Sequence, residues 1–444
     1  MSSPAQPVMI DDVEINRFHQ ILTLRTGLGW VMVGYILSII GVATLGMSAS
    51  LQLSGFWQGM VAAMALLGVF AGGFFGGWLT DRIGRQKLYF AAPAIVLATS
   101  VAMFWVQDGL SLSVLRLLCG LAVGIEYTAA GSLLTEFIPQ KSRGSRLSLL
   151  TVLWFVGAAL AYIAGNFMLA GGDAEAWRTV MASPAIIGAV LLVARLGTPE
   201  SPRWLLSKGR REEAEQVIRQ VYGPAFSLRN ITDDSAAGPA MSFVDALRAG
   251  YGKRIFFVVM FWACAVIPLF AVYAFVPKLF SALNLTGNLA AFGSVGITLM
   301  MVLGCCIATW LINYLGRRTI LIHSFLWSGL SLLGLALFPD AEGWLVLTLF
   351  GAYGLFIGGA QVLEFVYPNE LFPTEIRAFA VGMGASLAAF SSAIGTWLVP
   401  ISLEQFGIGS TLLAATLITM LGLAVSILLA PETRSMSLQE AAAL

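Results

Sequence analysis

The chain has 444 residues, of which 58% are apolar and only 11% charged, with 25 basic and 24 acidic residues and a net charge of +1. An ordinary soluble domain is about 25% charged, so the composition excludes a soluble enzyme, a disordered chain and a nucleic-acid binder. The near-zero net charge says nothing about partners until the charges are placed along the chain.

Residues 1–25 are polar, with Asp11, Asp12 and Glu14. They do not resemble a cleavable signal peptide, whose charged start runs straight into a short apolar core. A spanning helix needs roughly 20 mostly apolar residues. Six stretches then qualify: 28–50, 57–79, 88–106, 111–135, 147–170 and 179–197. Span 2 is followed by Asp81, Arg82, Gly84 and Arg85, and span 4 by Glu136, Pro139, Arg143 and Gly144. Span 6 is followed by Pro199, Glu200, Ser201, Pro202 and Arg203. A polar segment at 199–253 comes next, and its 210–218 stretch reads as short amphipathic helices.

Six further spans follow at 255–280, 290–312, 319–338, 343–366, 379–401 and 409–430. Their loops repeat those of the first six. Asn313, Gly316 and Arg317 follow span 8 at an offset of 232 residues. Glu370, Pro373 and Arg377 follow span 10 at an offset of 234, and Pro431, Glu432 and Arg434 follow span 12 at 232. Three motifs at one spacing, each after the matching span, identify a duplicated chain. The sequence therefore reads as an all-α membrane protein of 12 transmembrane helices. It forms two pseudo-symmetric six-helix bundles, over 1–198 and 254–444, joined by a cytoplasmic linker at 199–253.

With a cytoplasmic N-terminus, 22 of the 25 basic residues fall on inner segments, leaving Arg116, Arg178 and Lys278. The outer loops carry Asp108, Asp173, Glu175, Asp340, Glu342 and Glu404 instead. This bias places both termini in the cytoplasm and the chain in an inner (plasma) membrane. Cys119, Cys264, Cys305 and Cys306 all fall within spans, which leaves no disulfide framework outside.

Gly77, Asp81, Arg82, Gly84 and Arg85 resemble the loop 2–3 signature of the major facilitator superfamily. The run Pro199-Glu200-Ser201-Pro202-Arg203-Trp204-Leu205 resembles the sugar-porter signature after span 6. The stretch from Tyr367 to Arg377 is similar to the end of span 10 in sugar porters and in the related organic-ion and synaptic-vesicle-like metabolite:proton symporters. The resemblance covers nearly the whole chain. It implies the major facilitator fold and transport by alternating access, without enzymatic chemistry.

The duplicated charges Asp81, Arg85, Glu136, Arg143, Glu200, Arg203, Arg317, Glu370, Arg377 and Glu432 lie at cytoplasmic helix ends. Ion pairs bridging the halves there would make a cytoplasmic gate; the plainer alternative is that they set topology and cap helices. Within the spans stand Arg116, Glu126 and Glu364, each costly in the bilayer and hence a candidate for proton or substrate coupling. Spans 4 and 10 line the central path in the resembled fold, so Glu126 and Glu364 are expected to face it from opposite halves. A carboxylate in a partly dry cavity can load and release protons near neutral pH, or hold a cation. The plainer alternative for Glu126 is a satisfied structural acid. In the resembled porters an arginine at the position of Arg116 pairs with an aspartate of span 1, but here Gly34 and Tyr35 are followed by Ile36. Arg116 must find another partner, such as Glu126, or attract an anion.

Sugar porters also carry glutamines and an asparagine on span 7 and glutamines on span 5. The matching positions here are Cys264, Ala265, Phe270, Thr151 and Ala158, which argues against a hexose site. The candidate cavity residues are Tyr35, Trp154, Tyr162, Asn166, Trp262, Phe270, Tyr273, Gln361, Phe365 and Trp397. Aromatic walls with a carboxylate suit an organic cation; with Arg116 they suit an organic acid. His19 and His323 stand apart, and neither a metal-ligand cluster nor a nucleotide-binding loop is legible. The expected protein is a monomeric secondary transporter in the lipid bilayer, moving a small organic ion in symport with a proton. It is expected to need no cofactor and to bind no nucleic acid. A proton-antiport multidrug exporter, a sugar:proton symporter and a nutrient receptor are the alternatives.

Overall fold

The computed structural model describes residues 8–231, 248, 250–285, 287–372, 374–434 and 436, with side chains except at 148, 288, 313, 365 and 374–379. Among the described residues every regular element is helical. Eleven helices are long and apolar enough to cross a membrane. Spans 1 to 5 are Arg17–Ser50, Gly55–Ile83, Arg85–Met103, Gly109–Phe137 and Gln140–Leu169. Span 6 runs through Ala176–Ala182 and Pro184–Ala194, and spans 7 to 10 are Gly252–Ala282, Gly287–Leu315, Arg317–Leu337 and Gly343–Leu371. The twelfth expected span is not missing. Helix Thr374–Leu429 holds spans 11 and 12, broken at Gly407, whose φ of 78° and ψ of 177° are not helical.

The repeat seen in the loops is also a repeat of packing. In the first half, span 2 packs on span 4, span 1 on span 5, and span 3 on spans 4 and 6; in the second, span 8 packs on span 10, and spans 7 and 9 on the long last helix. Small residues make this close approach possible, because lipid offers helices no hydrophobic drive to associate. Gly72, Gly120 and Gly124 let the backbones of spans 2 and 4 meet; Gly304, Gly354 and Gly358, their repeat counterparts, do the same for spans 8 and 10. The halves join through spans 1 and 7, span 2 and the last helix, and spans 5 and 8.

Span 7 shows how one residue sets this junction. Proline cannot donate to the carbonyl four residues back, and Pro277 stands four after Tyr273, beside the non-helical Phe275. The freed Tyr273 carbonyl accepts a hydrogen bond from Tyr162 Oη of the other half at 2.5 Å, and Ala274 O accepts from Thr44 Oγ1 at 3.1 Å. Further along the same side, Lys278 Nζ donates to Gln58 Oε1 at 2.6 Å and lies 3.6 Å from Glu404. These closures lie toward the end that carries the acidic loops. The opposite, basic end holds the duplicated charged loops and linker helices Pro202–Ser207 and Arg211–Tyr222.

The backbone at Gly407 is open essentially to glycine alone. Gly407→Ala should therefore lower stability by about 1–3 kcal/mol, read as thermal unfolding in detergent. An unshifted melting curve would show that spans 11 and 12 do not need this turn.

Candidate functional site

A cavity of about 730 Å³ lies between the halves. The first half contributes Trp30, Phe70, Phe74, Tyr127, Thr128, Thr151, Trp154 and Phe155; the second contributes Trp262, Phe270, Gln361, Glu364 and residues of 381–389. The inter-half closures of Tyr162, Thr44 and Lys278 stand on its acidic side, so it opens toward the basic end. Glu364 is the sole Asp, Glu, Lys, Arg or His among the lining residues, and it is 4% exposed. Gln361 Nε2 donates to Glu364 Oε1 at 2.8 Å, and the Trp262 side chain hydrogen-bonds the same carboxylate. Among the described residues no cation lies within ion-pair distance of it. On the facing wall Trp154 Nε1 donates to Tyr127 Oη at 2.8 Å, and Trp30 meets the Tyr127 ring edge-on at 5.0 Å.

Of the expected cavity residues, Trp154, Trp262, Phe270, Gln361 and Glu364 come together here. Tyr35, Tyr162, Asn166, Tyr273 and Trp397 do not, because other partners claim them. Tyr35 Oη is 2.7 Å from Ser183 Oγ, Tyr162 is taken by the span 7 carbonyl, and Asn166 Nδ2 donates to Tyr162 O at 2.8 Å. Tyr273 Oη contacts Met301 Sδ at 2.9 Å, and Trp397 packs edge-on against Phe56 at 5.7 Å. The side chain of Phe365 lies outside the described residues.

Glu126 does not look into the cavity. Its carboxylate forms a two-point ion pair with Arg195, both side chains 0% exposed. Arg195 also donates to Tyr89 O, and its guanidinium carbon stands 3.7 Å from the Tyr89 ring centroid. Span 1 presents Gly29, where a Cβ would collide with the same carboxylate. Four helices of the first half are thereby fixed around one pair. Arg195 belongs to the 22 basic residues assigned to inner segments, because it ends span 6, although it stands among Val193, Ala194 and Leu196. Arg116 does not reach Glu126. It is buried, donates to Ile36 O at 3.1 Å, and has no carboxylate within ion-pair distance among the described residues.

The duplicated loops build one cluster twice. Arg85 Nε pairs with Glu136 at 3.0 Å, and Arg85 also meets Asp81 at 3.0 Å. Glu200 accepts from the backbone N–H of Arg85 and Gln86 at the start of span 3. In the second half Arg317 pairs with Glu370 at 2.8 Å, and Glu432 accepts from the N–H of Arg317 and Arg318. Gly84 and Gly316, with φ of 110° and 86°, leave the space these carboxylates occupy. A carboxylate at a helix N-terminus is favoured by the unpaired N–H groups there. Burial nonetheless holds the Glu200 carboxyl above its ordinary range, against those hydrogen bonds and Arg85. All these pairs lie within one half, so the expected bridging of the halves is not what they do in this conformation. Arg143 and Arg203 instead share Asp11, at 3.0 and 2.6 Å. The side chain of Arg377 lies outside the described residues.

A family model described as "Sugar (and other) transporter" matches residues 27–444. YaaU of Escherichia coli (strain K12), named for metabolite transport, is 37% identical over 97% of this chain and 96% of its own. The inner membrane metabolite transport protein YgcS of the same strain is 34% identical over the same shares. Among solved structures, a partially occluded inward-open conformation of the xylose transporter XylE from E. coli matches with a TM-score of 0.81. It is 20% identical and covers 95% of this chain and 100% of that one. XylE bound to 6-bromo-6-deoxy-D-glucose, described as a proton:xylose symporter, matches at 0.78 with 22% identity, over 96% and 98%.

Glu126→Ala would leave Arg195 buried without its counter-ion and should cost about 3–5 kcal/mol. Replacing both partners, as Glu126→Leu with Arg195→Met, should recover most of that loss, because paired apolar groups carry no desolvation penalty. Thermal unfolding of the three proteins in detergent checks this. Equal losses in single and double variants would show that the pair is not the tie.

Proposed function

Because the chain belongs to the sugar (and other) transporter family, of the major facilitator type, we propose that it carries a small organic ion in symport with a proton, with Glu364 as the proton-binding group. The coarser part stands on the family itself: this is a multi-pass membrane transporter working by alternating access, not an enzyme. The finer part is carried by one observation. Among the described residues that line this aromatic-walled cavity a single carboxylate is available, and it is met by neutral donors only. A group that must change charge during transport has to be reachable from the cavity and free of a fixed counter-ion. Glu364 meets both conditions. Glu126 is held by Arg195, and we assign that pair to bracing the first half.

A sugar reading fits the family description but finds little in the wall, where Gln361 is the one amide among the lining residues. We assign the basic end to the cytoplasm from the distribution of Lys and Arg, so the cavity faces inward. The twin clusters of Arg85 and Arg317 then act as braces that let each half rock as a body.

Glu364→Gln keeps the shape and one carbonyl acceptor but cannot titrate. A thermal-shift panel of organic acids, amines and sugars on the full chain selects a ligand for proteoliposome assays. In those assays the variant should lose accumulation driven by a pH gradient while retaining exchange of labelled for unlabelled ligand. Gradient-driven accumulation equal to that of the unaltered protein would remove Glu364 from the proton path.

A further inference from the structure

The polar atoms of the cavity wall are unevenly divided between donors and acceptors. Gln361 Nε2 and the Trp262 indole both point their N–H at Glu364. Tyr127 Oη accepts from Trp154, which leaves its own proton without an acceptor among the described residues. Against these donors the described lining residues offer one full negative charge, on Glu364, and no cation. A carboxylate in that position is well served while ionised, because charge-assisted hydrogen bonds are about twice as strong as neutral ones.

We propose that the transported ion is a carboxylate-bearing organic acid, and that it binds by taking over the donors that Glu364 gives up on protonation. This deepens the symport reading and rests on it. The proton goes to a carboxylate oxygen of Glu364. The neutral acid group no longer holds the N–H groups of Gln361 and Trp262 as strongly, and these turn to the incoming carboxylate, joined by the O–H of Tyr127. No bond of the substrate is made or broken, and the charge summed over Glu364 and the cargo is −1 both before and after loading. Trp154, Phe270 and Trp262 flank the body of the acid.

The opposite signs fit worse. A cation would need Glu364 ionised as its counter-ion, and a symported proton removes that charge. A neutral polyol would need paired amides to satisfy its hydroxyls, and the wall has Gln361 alone.

The test uses the full chain in detergent and two matched series that differ in charge and little else. One is benzoate, benzamide and benzamidine; the other is gluconate, glucose and glucosamine. The acid of at least one series should bind about tenfold or more tighter than its neutral and cationic partners. Calorimetry in buffers of different ionisation enthalpy should read about one proton taken up per acid bound. Glu364→Gln should bind the same acid with that uptake abolished and with affinity flat in pH. Gln361→Leu and Trp262→Phe should each weaken the acid about tenfold while leaving proton uptake in place. Tighter binding of a neutral or cationic member, with proton uptake intact, would overturn the acid assignment alone. Acid binding without proton uptake would overturn the handover and the symport reading together.

Discussion

A charge taken out of water must find compensation or a route to neutrality, and that constraint sorts the buried ionisable groups of this chain. Glu126 and Arg195 compensate each other at 0% exposure and are thereby fixed. Arg116 cannot shed its proton in a protein, and it settles on the carbonyl of Ile36. Among the described residues Glu364 has only neutral donors around it. Of the two carboxylates, it alone keeps protonation as its route to neutrality. Fixed charges serve as architecture, and the one that can change is placed where the halves enclose space.

The duplication makes this asymmetry visible. At an offset of 234, Tyr127 corresponds to Gln361, and both line the cavity. Glu126 corresponds to Ala360, and Glu364 to Ala130, while at an offset of 232 Arg195 corresponds to Ile427. The framework was therefore copied in both halves: glycine seams, Arg–Glu clusters and carboxylate caps. The buried pair belongs to the first half alone, and the cavity carboxylate to the second alone. With Glu364 as the proposed proton site, a braced half opposite a half that senses protons would be a division of labour that two identical halves could not have.

The same arithmetic shows what was legible in the sequence and what was not. The spans, the repeat and the clusters follow from apolar length and motif spacing, because those depend on local rules. The expectation that Glu126 and Glu364 face the path from opposite halves fails because the repeat offset pairs Glu364 with Ala130, and Glu126 turns to Arg195, a partner on another helix. Arg195 was hidden by its place at a span end, where a basic residue ordinarily reports topology. The partners of Tyr162 and Tyr273 depend on where Pro277 frees a carbonyl, a contact between elements 111 positions apart that no local pattern encodes. Fold was readable from periodicity; pairing across helices was not.

The donor arrangement around Glu364 also bears on how tightly the two cargoes are tied. In the exchange of donors proposed above, three loading states compete with the full one. The acid alone beside ionised Glu364 puts two negative charges in a cavity with no cation among its described lining residues, which orders the events: proton first, acid second. The proton alone is neutral, and by charge it could slip across unaccompanied. It leaves the N–H groups of Gln361 and Trp262 on the oxygens of a neutral acid, which accept hydrogen bonds about half as strong as those to the ionised carboxylate. Weakening a charge-assisted hydrogen bond to a neutral one costs about 0.5–1 kcal/mol, so the two together slow the slip by roughly tenfold. The empty state avoids this penalty because ionised Glu364 satisfies both. The same two side chains thus favour the empty and the fully loaded cavity over either half-loaded one, which is the condition that symport requires.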